Sequence, residues 1–198
     1  MIEAVRHNLS NLTNFSGRDS RSTFWFYILF LVIIQIVLYI GFTVFMGGAM
    51  MVDAVQSARD GANEAAVQHQ VVLKMAGMMR TTMWMSVTLS AVMTAMTAAS
   101  FTRRLHDSGK SGWIMGLAVV LQLLTIVLSI GMIGDLVTYM SSLKFDDPAA
   151  MQAAARAQQG KTMLPNLAGW ASYLIVIVFG VWPSSDGDNR YGPEPEHL

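Results

Sequence analysis

The residues best equipped for chemistry form one short run, Arg103-Arg104-Leu105-His106-Asp107-Ser108-Gly109-Lys110-Ser111-Gly112-Trp113. Three cations, an imidazole, a carboxylate and two hydroxyls fall within it, the types needed to bind an anion, relay a proton or attack an ester. Gly109-Lys110-Ser111 looks like the end of a phosphate-binding P-loop, but that motif requires glycine where Arg104 stands, and no strand precedes it. Nucleotide hydrolysis is therefore rejected. His106 and Asp107 beside Ser108 and Ser111 have the types of a nucleophilic triad, yet triads are built in space, and neighbours in one tight turn do not give that geometry. What remains is a brace, an anion or lipid-headgroup site, or a docking surface. Interfacial Arg and Lys each attract anionic headgroups by about 1 kcal/mol. A topology signal needs charge alone, whereas His106, Asp107, Gly109 and Gly112 add hydrogen-bonding groups and turn geometry. The two glycines supply backbone freedom. Asp107 orients Arg104 or caps the helix that follows.

The elements that hold this run are apolar. The chain has 198 residues, 53% hydrophobic and only 13% charged, where soluble domains carry about 25% charged. The mean hydropathy is +0.43. Formal net charge is zero, so bulk electrostatics imply no nucleic-acid partner, and the lack of cysteine excludes disulfide and thiol chemistry. Four apolar runs, 24–46, 83–101, 113–134 and 166–182, contain no Lys, Arg, Asp or Glu. Lipid leaves backbone amides no partner, and the runs are too long for barrel strands, so each is predicted to be a transmembrane helix. The polar start, Met1 to Gly17, and the length of the first run do not read as a cleavable signal peptide. The expectation is an all-α, single-domain polytopic membrane protein, a four-helix bundle with a tail over 183–198.

All five tryptophans, Trp25, Trp84, Trp113, Trp170 and Trp182, fall at ends of these runs, as indoles at headgroup level should. Arg18 and Arg21 precede the first run, and Arg103, Arg104 and Lys110 crowd the link between the second and third. Their density places that link and both termini in the cytoplasm, since the basic residues of the other side, Arg59, Lys74, Arg80, Lys144, Arg156 and Lys161, are spread over longer loops. Ile2, Val5, Leu9 and Leu12 have helical spacing, which makes 1–16 an interfacial segment. The outer loops carry helical signals too. Asp147-Pro148 and the Ala-rich run after it give an N-cap, a proline at the first helical position and a stop at Gly160. Val67, Val71, Met75 and Met78 share a face, so the second helix begins early, after a break at Gly61.

Three motifs then share one side of the membrane: Gly17-Arg18-Asp19-Ser20-Arg21 with Phe24-Trp25, the Arg103 to Trp113 loop, and Gly187-Asp188-Asn189-Arg190-Tyr191-Gly192-Pro193. In this order around apolar spans they resemble the DUF805 family of small bacterial inner-membrane proteins, over nearly the whole chain. The chain departs from the shorter pattern in its long outer loops, rich in Ala, Gln and Met. The resemblance implies a bacterial inner-membrane location, the span architecture and the importance of the inner-face motifs; it transfers no activity and no cofactor. The candidate site is Arg18, Arg21, Arg103, Arg104, His106, Asp107, Lys110, Trp113, Asn189 and Arg190. Arg103, Arg104 and Lys110 give it charge, His106, Asp107 and Asn189 orient it, and Trp25 and Trp113 set its depth. Pairing of Asp186 or Asp188 with Arg103 or Arg104 would make the tail a latch.

Two further readings come from outside that cluster. Met46, Met50, Met51, Met75, Met78, Met79, Met83 and Met85 gather on the outer side, with His69 near in sequence, and thioethers suit Cu(I). Met also fills gaps between helices, and no regular Met spacing repeats, so no metal is assigned. An ion-coupled carrier carries an ionisable group within a span. Here the spans offer only Gln35, Gln122 and hydroxyls such as Thr94 and Thr97. Ser90, Ala91, Thr94, Ala95 and Ala98 suit close helix packing, within the bundle or between copies. The expected function is non-enzymatic, a membrane module whose basic cluster binds anionic lipid or a protein partner. The alternatives are a subunit of an oligomeric transporter or channel, and an outer-face methionine metal site.

Overall fold

A computed structural model describes residues 1–59, 64–142 and 147–195, and all its regular elements are helices. They are α1 (Ile2–Ser10), α2 (Arg21–Arg59), α3 (Glu64–Asp107), α4 (Trp113–Ser142) and α5 (Pro148–Val181). The last four are each long and apolar enough to cross a membrane. The protein is an all-α, multi-pass membrane protein. The starts of α2 and α4 and the ends of α3 and α5 meet at one end of the bundle, so the four run alternately up and down. That end carries all three motifs and is called the basic end below.

The helices are longer than the apolar runs. At 1.5 Å per residue the 39 residues of α2 extend about 58 Å and the 44 of α3 about 66 Å, twice the roughly 30 Å of a hydrocarbon core. The amphipathic segments expected in the outer loops are therefore continuations of the spans. α5 shows why. Asp147 caps it, accepting from the Ala149 and Ala150 amides at 2.9 and 3.1 Å, with Pro148 in the first turn as expected. The expected stop at Gly160 does not occur. A glycine ends a helix by turning to positive φ, and Gly160 keeps a negative one. Pro165 lies inside the same helix, buried against α4, where Thr125 Oγ1 donates to its carbonyl at 3.2 Å. Trp170, placed by the sequence at a span end, consequently lies part-way along α5. The expected break at Gly61, and the side chains of Val67 and His69, lie outside the described residues.

α4 packs along both α3 and α5, whereas α2 meets its neighbours sparingly. The tightest packing is at the basic end, where Phe24, Phe101, Leu105, Met115 and Ala118 form a buried apolar core. Gly180 permits the approach of α2 to α5 there. A Cβ on it would lie 2.7 Å from the Phe24 ring and 3.0 Å from Trp25.

Candidate functional site

On that apolar core sits a closed polar network with two centres, Asp107 and Asp19, both buried. Asp107 ends α3. Its Oδ1 accepts from Arg18 Nε and Nη2 at 3.2 and 3.0 Å. Its Oδ2 accepts from Arg104 Nη1 and from Ser184 Oγ, the latter at 2.6 Å. Asp19 lies just before α2. It receives His7 Nε2 at 3.1 Å and Ser100 Oγ at 3.3 Å. Arg103 Nε lies 3.0 Å from Asp19 Oδ2, at an angle that makes an ion pair and not a hydrogen bond.

Three guanidinium groups thus face two carboxylates, and backbone carbonyls absorb the excess positive charge. Arg103 donates through Nη1 to the Asn11 and Asn14 carbonyls and through Nη2 to Asn8 Oδ1 at 2.6 Å. Arg104 donates through Nε to Gly180 O at 3.0 Å and through Nη2 to Trp182 O. Arg18 reaches the carbonyls of Ser185 and Gly187 at 2.8 and 2.7 Å and that of Gly192 at 3.3 Å. The physical reason is the helix terminus. The last carbonyls of a helix lack intrahelical donors and carry the negative end of its dipole, so a cation is favoured there. Arg104, on α3, serves the end of α5 in this way. The tail serves the end of α3 in return. The Ser185 amide and Oγ both donate to Asp107 O, at 2.8 and 2.9 Å, and Asn189 Nδ2 donates to His106 O at 3.0 Å.

The turn 108–112 closes the hairpin between α3 and α4. Gly109 has φ +67, a left-handed value that suits glycine. Gly112 has no such φ; its role is close approach, because a Cβ there would meet Thr102 Cγ2 at 2.8 Å and His106 Nε2 at 3.1 Å. His106 Nδ1 pairs with Gly17 O at 3.2 Å, and its ring stacks on Tyr191 at 3.8 Å. The Arg190 guanidinium lies over the other ring's centroid at 4.7 Å. Lys110 Nζ lies 4.9 Å from the Trp182 ring. Both are cation–π contacts.

The ten candidate residues therefore divide. Arg18, Arg103, Arg104, His106, Asp107 and Asn189 form the interior of the network. Arg21, Trp113 and Arg190 are exposed, and Lys110 is half-buried at the rim. Asp107 orients Arg104, as one of its two expected roles has it, and takes Arg18 as well. The pairing that would make the tail a latch does not occur, since Asp186 and Asp188 stay exposed and meet neither Arg103 nor Arg104; the tail is held to Arg104 through the Trp182 carbonyl and Ser184. Trp25 donates from Nε1 to Gly180 O at 3.1 Å and packs against the apolar core between helices. α1 turns Ala4 and Asn8 inward and leaves Ile2 and Leu9 exposed.

Sequence reasoning missed Asp19, His7, Asn8, Ser100, Ser184 and Ser185. Asp19 stood in a recognised motif, and its place as the one carboxylate between Arg18 and Arg21 was the available signal. The serines act through hydroxyls and α1 through His7 and Asn8, common side chains whose partners lie on distant segments that residue type does not announce. Among the described residues no cluster of His, Asp or Glu has the arrangement of a metal site.

The chain matches a protein family described as "Protein of unknown function (DUF805)" over residues 12–193. No curated protein and no solved structure is significantly similar to it. The match covers all three motifs of the network and every span between them.

Proposed function

The chain belongs to the DUF805 family of proteins of unknown function, and from that premise we propose that it is a non-enzymatic membrane module whose basic end is a clasp with a lipid-facing rim. One observation carries this reading, the division of the cations. Arg18, Arg103 and Arg104 are buried and paired inside the protein. Arg21, Lys110 and Arg190 have no carboxylate partner among the described residues, and Arg21 and Arg190 are exposed. The first set joins helix ends and tail. The second set meets anionic headgroups, with Trp113, 70% exposed, at headgroup depth. The charge expected of Arg103 and Arg104 as ligand groups passes in this reading to the rim. The density of basic residues favours the cytoplasmic leaflet of a bacterial inner membrane for this end, with both termini there.

The test is lipid exchange into nanodiscs of mixed phosphatidylglycerol and phosphatidylcholine, with the parent chain beside Arg21→Ala/Lys110→Ala/Arg190→Ala. At about 1 kcal/mol per residue, each substitution weakens the preference for phosphatidylglycerol by roughly fivefold. Thermal stability falls only by what the two cation–π contacts at the rim contribute, about 0.5–1 kcal/mol each. Equal preference in parent and variant overturns the lipid reading and leaves the rim to a protein partner. A second reading, a subunit of an oligomeric transporter or channel, is favoured by α2, whose apolar window is only 6% buried and so offers a face to another copy. Solute flux from liposomes that depends on protein density would support it.

A further inference from the structure

From the apolar core of the basic end toward the middle of the bundle, two adjoining cavities of about 400 and 650 Å³ open between α2, α3, α4 and α5. They share Gln35, Ser90, Gln122, Trp170 and Tyr173 as lining. Each volume is in the range of small-molecule sites, about 300–1,000 Å³. Gln122 lies about 14 Å beyond the start of α4 at 1.5 Å per residue, near the middle of a hydrocarbon core about 30 Å thick.

Gln122 is only 5% exposed. Its Nε2 donates to Ser90 Oγ, and its Oε1 has no hydrogen-bond partner among the described residues. A buried amide oxygen left unpaired is unfavourable, and most unfavourable where lipid surrounds the bundle. No charged residue lines either cavity among the described residues, so nothing there offsets the charge of an ionic ligand. The wall also includes Val32 and Ile177, which are 42% and 49% exposed, so the smaller cavity opens sideways toward lipid.

We propose that this chamber binds a neutral lipid through a free hydroxyl, with Gln122 as the recognising group and the apolar walls holding its chain. The chemistry selects the hydroxyl. An amide can lie in either of two orientations, one presenting an acceptor and the other a donor. A hydroxyl donates and accepts, so it pairs with both. The lateral opening lets the acyl chains remain in the bilayer while the hydroxyl reaches Gln122. Diacylglycerol is a membrane ligand class that combines one free hydroxyl, no charge and long chains. The site shares no residue with the rim, and its ligand is uncharged, so the two readings stand or fall separately.

The experiment uses the full chain in phosphatidylcholine nanodiscs with a diacylglycerol carrying a photoreactive acyl chain, beside the same lipid with its hydroxyl methylated. After irradiation, the hydroxyl form is expected to label the cavity-lining peptides of α3 and α4 about fivefold more than the methyl ether, the worth of one hydrogen bond. Gln122→Leu brings that ratio close to one. Equal labelling by the two lipids in the parent chain overturns the proposal, as does an unchanged ratio in a folded Gln122→Leu. Should that variant not fold, the parent's ratio and the position of its label decide alone.

Discussion

The two ends of this bundle use the same kind of contact to opposite effect. At the basic end, Arg18 and Asp107 pair at 3.0 Å with side chains 1% and 0% exposed. At the opposite end, Lys161 and Asp135 pair at 2.9 Å with side chains 55% and 63% exposed. The distances are alike, and the surroundings are not. Arg18 has also placed all its remaining donors on carbonyls, and Arg103 and Arg104 most of theirs on carbonyls or side chains, which is what allows a charge to leave water. The exposed amine keeps its hydration and gains little from its partner. Distance alone therefore says almost nothing about what holds this fold. Burial together with completeness of partners does. By that measure the basic end fastens the four helices, and the opposite end extends them.

The largest expected effect breaks the comparison at its strong side. Asp107→Asn keeps the shape of the side chain and removes the charge that Arg18 and Arg104 share. Removing one partner of a buried pair destabilises by about 3–5 kcal/mol. Two cations depend on this one carboxylate, so the upper part of that range is expected, read as a lowered unfolding transition in detergent and poor accumulation in cells. A transition within experimental error of the parent would show that the carbonyl ligands hold both guanidinium groups unaided.

A smaller effect separates packing from charge. Gly180→Ala places a methyl 2.7 Å from the Phe24 ring. The ring is held in the core and cannot swing aside, so overpacking of about 1–3 kcal/mol is expected. The same change at the other end, Gly160→Ala, meets nothing within 4 Å. There alanine's better helix propensity is expected to stabilise by up to about 1 kcal/mol. Opposite signs from one substitution, measured by thermal unfolding of the two variants, would sharpen the distinction between a fastened end and an extended one.

What the sequence revealed follows the same division. The spans were legible because lipid demands long uncharged runs, and the start of α5 because Asp147-Pro148 carries its own cap. The shared side of the three motifs was legible because helix number fixes which ends meet. Their pairing was not. Arg18 and Asp107 lie far apart in sequence, and opposite charge names many partners without choosing one. Asp186 and Asp188 were equally plausible on charge and remain outside the network. The carbonyls of Gly180, Trp182 and Ser185 were invisible because every residue has one. Gly160 read as a stop, but a helix packed along α4 keeps its course through it and through Pro165 beyond. Gln122 was read only as a polar residue in an apolar run, and its buried, half-partnered amide needs the neighbouring helices to become apparent.

The smallest expected effect lies at the weak side, and it is the stricter test. In a double-mutant cycle of Lys161→Ala and Asp135→Ala, a coupling energy of about 0.2–1 kcal/mol is expected, falling toward zero as salt is raised. Both groups sit on the extensions of α5 and α4 beyond the apolar runs, where water competes for each of them. Unfolding transitions of the parent, both single variants and the double variant give the coupling directly. A salt-insensitive coupling above about 2 kcal/mol, the scale of a buried pair, would mean that this pair is shielded from water in the assembled protein. The most direct source of such shielding is a second copy packed on the outer extensions. In that case the asymmetry between the two ends would belong to the isolated chain, and the opposite end would be an interface instead of a free extension.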